Sequence, residues 1–257
     1  MTKTPDITRL KIKIFGDGAD LLSIKALYSQ PYIKGFTTNP TLMHQAGVSD
    51  YKAFALEMLA SVTDRPVSFE VFADDIATME SQAHEIASWG RNVNVKVPIT
   101  TTRGESTAEL VGRLSAAGVV CNVTAIFTLD QVRAIIEVLD TDTPAILSIF
   151  AGRIADTGID PVPLVRDAVL IARAKPKAEV LWASPRELLN IFQADEVGCH
   201  IITVTTEVLK KLSGVGKSLE KFSLETVAMF YNDARAAGYS IERTVTAHHR
   251  SEKLNAS

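Results

Sequence analysis

Asn92-Val93-Asn94-Val95-Lys96-Val97-Pro98 alternates in period two, with Val93, Val95 and Val97 on one face and Asn92, Asn94 and Lys96 on the other. The pattern is that of a short strand, and it turns a lysine toward the side opposite the valines. Two readings of Lys96 are open. It is either an amine held in a polar cavity or a strand-end lysine whose stem packs while its ammonium reaches water. In the first case, desolvation lowers an ammonium pKa and supplies the neutral amine that attacks a carbonyl to form a Schiff base.

Outward from this strand, similar runs recur at Ile12–Phe15, Ile33–Thr37, Val67–Phe72, Val119–Val123, Ala145–Ile149, Glu179–Ala183 and His200–Val204. Amphipathic stretches lie between them, at Tyr51–Val62, Ile76–Trp89, Ser106–Ala116, Leu129–Leu139, Val162–Ala174 and Arg186–Gln193. Asp64-Arg65-Pro66, Ala117-Gly118 and Val197-Gly198 punctuate the returns to the next strand. Strand and helix in alternation over 257 residues predict a (β/α)8 TIM barrel, for which about 250 residues is customary. An open doubly wound sheet is the rival, and eight even units favour closure. A further helix from about Leu224 to Ala237 follows, beyond what a barrel requires. Residues 1–245 are expected to form one catalytic domain that includes this helix, and 246–257 a disordered polar tail.

Composition narrows the function. With 27 basic and 30 acidic residues the formal charge is −3, and no basic run exceeds Lys210-Lys211, so no nucleic-acid surface is expected. Cys121 and Cys199 sit in apolar runs and read as buried thiols in a reducing compartment. The opening MTKTPDITRL has no apolar signal core, and no segment reaches the about 18 apolar residues of a membrane span. A soluble cytoplasmic protein is expected. None of His44, His84, His200, His248 and His249 has a second ligand at zinc-site spacing, so no metal is expected. No dinucleotide fingerprint follows the first strand. Gly214-Val215-Gly216-Lys217-Ser218 imitates a phosphate-binding loop, but Lys211 stands where its first glycine would be required.

A barrel of this kind gathers its chemistry at the C-terminal ends of the strands. Those ends offer Asp17, then Thr37, Thr38 and Asn39, then Glu70, which shares a face with Ser68 and Phe72. Lys96 ends the fourth strand, Asn122 and Thr124 share one parity on the fifth, and the sixth gives Ser148 and Phe150, followed by Arg153. The seventh ends in Ser184 with Arg186 two residues on, and the eighth brings no acid or base beyond His200. Each has a plainer reading: Asp17 as a helix N-cap, Asn39 as a turn residue before Pro40, Glu70 as a mere neutraliser of Lys96, the arginines as solvated charges. Jointly they favour a site. A lysine, two carboxylates and hydroxyl partners support metal-free carbonyl chemistry through an imine, and two arginines near a serine suggest an anionic tail, most simply phosphate.

These residues carry a family resemblance. Gly35-Phe-Thr-Thr-Asn-Pro-Thr41, Phe69-Glu-Val-Phe-Ala73, Val95-Lys-Val-Pro98, Cys121-Asn-Val-Thr-Ala-Ile-Phe127, Ser148-Ile-Phe-Ala-Gly-Arg-Ile154 and Ala183-Ser-Pro-Arg186 resemble the transaldolases of carbohydrate metabolism and the pentose phosphate pathway, with the smaller fructose 6-phosphate aldolases as near relatives. The resemblance implies a cofactor-free Schiff-base enzyme with its imine lysine, Lys96, on the fourth strand. By position it assigns Asp17 to acid/base work at the C4 hydroxyl and Glu70 with Thr124 to the water used in imine formation. Asn39 and Asn122 would hold the dihydroxyacetone hydroxyls, with Thr37 beside them. Arg153, Ser184 and Arg186 would bind the sugar phosphate, and Ser148 and Phe150 would line the pocket.

Departures from the family pattern are Gly18, where relatives usually carry a hydroxyl residue, Pro185, where an aromatic is common, and the segment Ile154–Pro161. Relatives that release free dihydroxyacetone resemble one another in carrying glutamine and tyrosine at the places of Glu70 and Phe150, so transfer between sugar phosphates is the expected activity. The alternatives are an aldolase that releases dihydroxyacetone and a degraded barrel acting as a binding protein. The last helix carries an apolar stripe of Leu224, Val227, Ala228, Tyr231 and Ala234 that is expected to pack on the barrel rim or on a neighbouring subunit, and a homo-oligomer of unread size is expected.

Overall fold

In the computed structural model, which describes residues 6–241, the chain divides into two compact units, Met1–Val215 and Gly216–Ser257. Eight parallel strands in the first close into a barrel in sequence order. They are β1 (Lys13–Asp17), β2 (Ile33–Thr37), β3 (Val67–Glu70), β4 (Val93–Pro98), β5 (Cys121–Ile126), β6 (Ala145–Ile149), β7 (Ala178–Trp182) and β8 (Ile201–Thr205). Between them run α1 (Leu21–Tyr28), α2 (Pro40–Gln45), α3 (Tyr51–Ser61), α4 (Ile76–Ser88), α5 (Ala108–Ala116) and α6 (Leu129–Val138). There follow α7 (Ala151–Ala155), α8 (Pro161–Ala172), α9 (Leu189–Glu196) and α10 (Thr206–Leu209).

The alternation in the sequence is what builds the two layers. Outward residues such as Val67, Phe69, Val93, Val95, Cys121 and Val123 are buried under the helical ring. Inside the barrel, Phe15, Ile146, Leu181, Ala183 and Ile201 form a separate apolar plug. Phe15 lies so close to β2 that a Cβ on Gly35 would stand 2.5 Å from its Cζ, so position 35 admits no side chain without movement. The plug leaves the polar inward residues to collect above it, at the C-terminal ends of the strands.

Local caps set where each helix starts. Asp20, Asn39, Asp50, Asp75 and Thr128 each accept a hydrogen bond from a first-turn amide of the helix that follows, worth about 1 kcal/mol apiece. The cap of α1 is thus Asp20, and Asp17 is released from that duty. Helix α9 starts later than the expected Arg186, because Asn190 Oδ1 accepts from the amides of Arg186 and Glu187 and holds them in a turn. Strand β3 ends at Glu70, so Phe72 does not share its inward face. Its ring is 62% exposed and packs edge-on against Tyr51, centroids 5.4 Å apart.

Helix α11 (Leu219–Ala236) belongs to the second unit and starts earlier than expected, with Ser218 accepting from the Lys221 amide as its cap. None of its side chains is buried, and Leu224, Val227 and Tyr231 are exposed. The tail expected at 246–257 lies outside the described residues. Among those described, no helix is long and apolar enough to cross a membrane.

Candidate active site

Register brings the polar ends to one level. Glu70 on β3 pairs with Lys96 on β4, Lys96 with Asn122 on β5, and Pro98 with Thr124. Lys96 is buried at 7% exposure, so the inward reading holds over the snorkelling one. Its Nζ lies 2.9 Å from Glu70 Oε2 and donates a 2.8 Å hydrogen bond to the carbonyl of Thr38. Glu70 does neutralise Lys96, and it does so inside the cavity.

Asp17 closes β1 opposite. Thr37 Oγ1 donates to its Oδ1 at 2.8 Å, and Thr37 is itself hydrogen-bonded to Thr203 on β8. The hydroxyl support missing after Asp17, where Gly18 stands, therefore comes across the sheet from β2. Burial pushes the Asp17 carboxyl above the usual aspartate range, against the pull of Lys96 and the Thr37 hydrogen bond.

A second polar chain crosses the barrel floor. Asn122 Nδ2 donates to Ser68 Oγ at 3.1 Å, and its Oδ1 accepts from Ser148 Oγ at 2.6 Å, which fixes the orientation of the carboxamide. Thr124 is buried beyond it on β5. Asn39 combines both of its readings, capping α2 through Leu42 N while lining the same cavity.

The cavity measures about 420 Å³ and is lined by Asp17, Thr37, Asn39, Glu70, Lys96, Asn122, Thr124, Ser148, Phe150, Arg153 and Ser184, every expected site residue except Arg186. The Arg153 guanidinium stacks over the Phe150 ring, 5.2 Å from its centroid. Arg186 instead pairs with Asp156, Nε to Oδ1 at 3.0 Å with Nη2 bonded to Oδ2. Ser184 adopts a left-handed backbone, φ 60°, and its carbonyl lies against Gly152 so tightly that a Cβ there would fall 1.5 Å from the oxygen. That approach sets α7, and with it Arg153, against the end of β7.

Thr203 and Gln45 also line the cavity and were not anticipated. Thr203 was legible from its inward parity on β8, but a search for acids and bases passes over it. Gln45 ends α2 with no sequence signal of its own. His200 precedes β8 and lies at the opposite end of the barrel, where its Nδ1 accepts from Val180 N at 3.0 Å, so it is no group of the mouth. Burial pushes the Cys121 and Cys199 thiols up to about 12, which leaves them inert as nucleophiles. Among the described residues no three His, Cys, Asp or Glu side chains converge to hold a metal ion.

A buried lysine amine beside a carboxylate, facing a cavity in a closed parallel barrel, is an arrangement suited to an enzyme that forms an imine with a carbonyl substrate. The family model described as Transaldolase/Fructose-6-phosphate aldolase matches residues 14–253, and the chain belongs to that family. It is 37% identical over 202 residues to the Probable transaldolase of Dehalococcoides mccartyi, covering 78% of this chain and 90% of that one. The Probable transaldolase of a Roseiflexus species is likewise 37% identical over 202 residues, covering 78% and 88%. Among solved structures, KGPDC from Streptococcus mutans shares the fold at a TM-score of 0.55 with 10% identity, over 81% of this chain and 95% of that one.

Proposed function

We propose that this enzyme moves a dihydroxyacetone unit from a ketose phosphate, such as fructose 6-phosphate or sedoheptulose 7-phosphate, to an aldose phosphate through an imine on Lys96. The observation that carries the reading is the buried Lys96 amine, 2.9 Å from Glu70 and facing a cavity that Asp17 also lines.

The steps follow from the residues. Lys96 Nζ attacks the ketose C2 carbonyl, and water leaves the carbinolamine with Glu70 and Thr124 handling its protons. Asp17, as a carboxylate, takes the C4 hydroxyl proton while the C3–C4 bond breaks, releasing the aldose and leaving an enamine on Lys96. The enamine carbon attacks the aldehyde of the acceptor, Asp17 returns its proton to the new hydroxyl, and hydrolysis frees the product. Asn39 and Asn122 hold the hydroxyls of the three-carbon unit. Arg153, with Ser184 beside it, receives the phosphate, and Arg186 contributes from behind. Thr37 and Ser148 orient Asp17 and Asn122, and Phe150 walls the pocket. The exposed apolar side chains of α11 support association with a second copy of the chain.

The test is to supply fructose 6-phosphate alone and then with erythrose 4-phosphate, assaying both sedoheptulose 7-phosphate and free dihydroxyacetone. Transfer requires product that depends on the second aldehyde. Rapid dihydroxyacetone release that ignores the acceptor would move the enzyme to the aldolase alternative.

A further inference from the structure

Tyr51 stands outside the barrel wall, at the start of α3, yet its hydroxyl reaches the backbone of a cavity residue. It donates to the carbonyl of Glu70 at 2.8 Å and accepts from the amide of Glu70 at 2.7 Å. Burial holds this phenol above its ordinary pKa, so it remains a donor.

The sheet shows why such a bridge is needed. Strands β2 and β3 pair at Phe36 with Val67 and Thr37 with Ser68, and the Thr38 amide donates to the Ser68 carbonyl at 3.3 Å. Two residues further along the same ladder, the Glu70 carbonyl would need the amide of residue 40. Residue 40 is proline and has none. The Glu70 amide would in turn reach the carbonyl of Thr38, but that carbonyl accepts from Lys96 Nζ and the amide donates to Tyr51 instead. With β2 ending at Thr37 and the chain turning at Asn39-Pro40, the Thr38 carbonyl holds the lysine, the Glu70 carbonyl has no ladder amide to accept from, and the Glu70 amide pairs outside the ladder. A buried amide and carbonyl left open carry the full cost of desolvation. One hydroxyl, donor and acceptor together, serves both.

We propose that Tyr51 is a positioning residue for the Glu70–Lys96 pair, fixing the Glu70 backbone so that its carboxylate meets the amine during imine formation. The inference rests on the Schiff-base reading of Lys96. Around Tyr51 the rings of Phe69, Phe72 and Trp89 lie at centroid distances of 6.4, 5.4 and 5.8 Å and hold the phenol from the outside.

The experiment compares borohydride trapping of dihydroxyacetone at varied concentration in the parent, Tyr51→Phe and Phe72→Ala, with amide hydrogen exchange of the parent read at Glu70. Tyr51→Phe keeps the ring and deletes the two hydrogen bonds, whereas Phe72→Ala loosens the ring and keeps them. The expected result is a saturating trapping rate lowered about 10- to 100-fold in Tyr51→Phe, with the half-saturating ketose concentration changed less than about threefold. Phe72→Ala should trap at the parent rate, and the Glu70 amide should be strongly protected. A Tyr51→Phe rate within about twofold of the parent, or an equal loss in Phe72→Ala, overturns the proposal. An open-chain exchange rate at Glu70 overturns it even if Tyr51→Phe does not fold. No adduct in the parent is the separate failure of the Schiff-base reading, and the positioning role falls with it.

Discussion

Arg186 is held by Asp156 through two parallel contacts, Nε to Oδ1 at 3.0 Å and Nη2 to Oδ2, while Arg153 projects into the cavity. The two arginines are therefore unequal. Arg153→Ala should raise KM for a phosphorylated ketose about 10- to 100-fold, the equivalent of one charge-assisted contact of about 1.5–3 kcal/mol. Arg186→Ala should cost less, and Asp156→Asn, which frees the guanidinium, should lower KM. Free dihydroxyacetone should respond to none of the three. Equal losses for charged and uncharged substrates would show that these residues are structural.

Asp17→Asn should leave imine trapping largely intact and slow carbon–carbon cleavage by about 10²–10⁴, the usual worth of a general acid/base. In the parent, cleavage should fall as pH drops through the raised Asp17 pKa, with its acid limb above the ordinary aspartate range. Trapping lost as severely as cleavage would instead assign Asp17 to imine formation or to the fold.

The same shift predicts a stability signature. The folded-state pKa of Asp17 is raised above its ordinary value of 3.8, so the native protein binds that proton more tightly than the unfolded chain. The resulting stabilisation is present in full below the ordinary value and is lost as pH rises through the raised one. Asp17→Asn, uncharged throughout, should therefore exceed the parent in Tm at neutral pH and lose that advantage on acidification. A Tm difference that is flat with pH would contradict the burial of this carboxylate.

The barrel and most of its mouth were legible because both rest on parity. One period-two rule put Lys96, Glu70, Asn122 and Thr124 on the inner face, and the register then set them level. It overran at Phe72, since a strand's end depends on its neighbour: β2 ends at Thr37 and the chain turns off at Asn39-Pro40, so past Glu70 β3 loses its partner on that side, although Val71 N still donates to the Lys96 carbonyl of β4. His200 precedes its strand, β8, and chain order alone puts it at the N-terminal end of the barrel, away from the mouth. The ion pair of Arg186 and the reach of Tyr51 are tertiary, joining residues 30 and 19 apart in the chain that no local pattern links.

Gly152 is a packing test of the phosphate end. Its Cα faces the Ser184 carbonyl, and a Cβ would stand 1.5 Å from that oxygen, so backbone must move. Gly152→Ala should destabilise by about 1–3 kcal/mol or more in denaturant titration and displace Arg153, raising KM for phosphorylated ketoses above that for dihydroxyacetone. Unchanged stability would mean that α7 and the end of β7 are not in contact as described.

The central claim is that Lys96 carries the substrate. Incubation with fructose 6-phosphate or dihydroxyacetone, reduction with borohydride and mapping of the modified peptide should find a single adduct, on Lys96, and Lys96→Ala should abolish both adduct and turnover while the protein stays folded. An adduct on another lysine, or none across a broad panel of ketoses, would contradict the account.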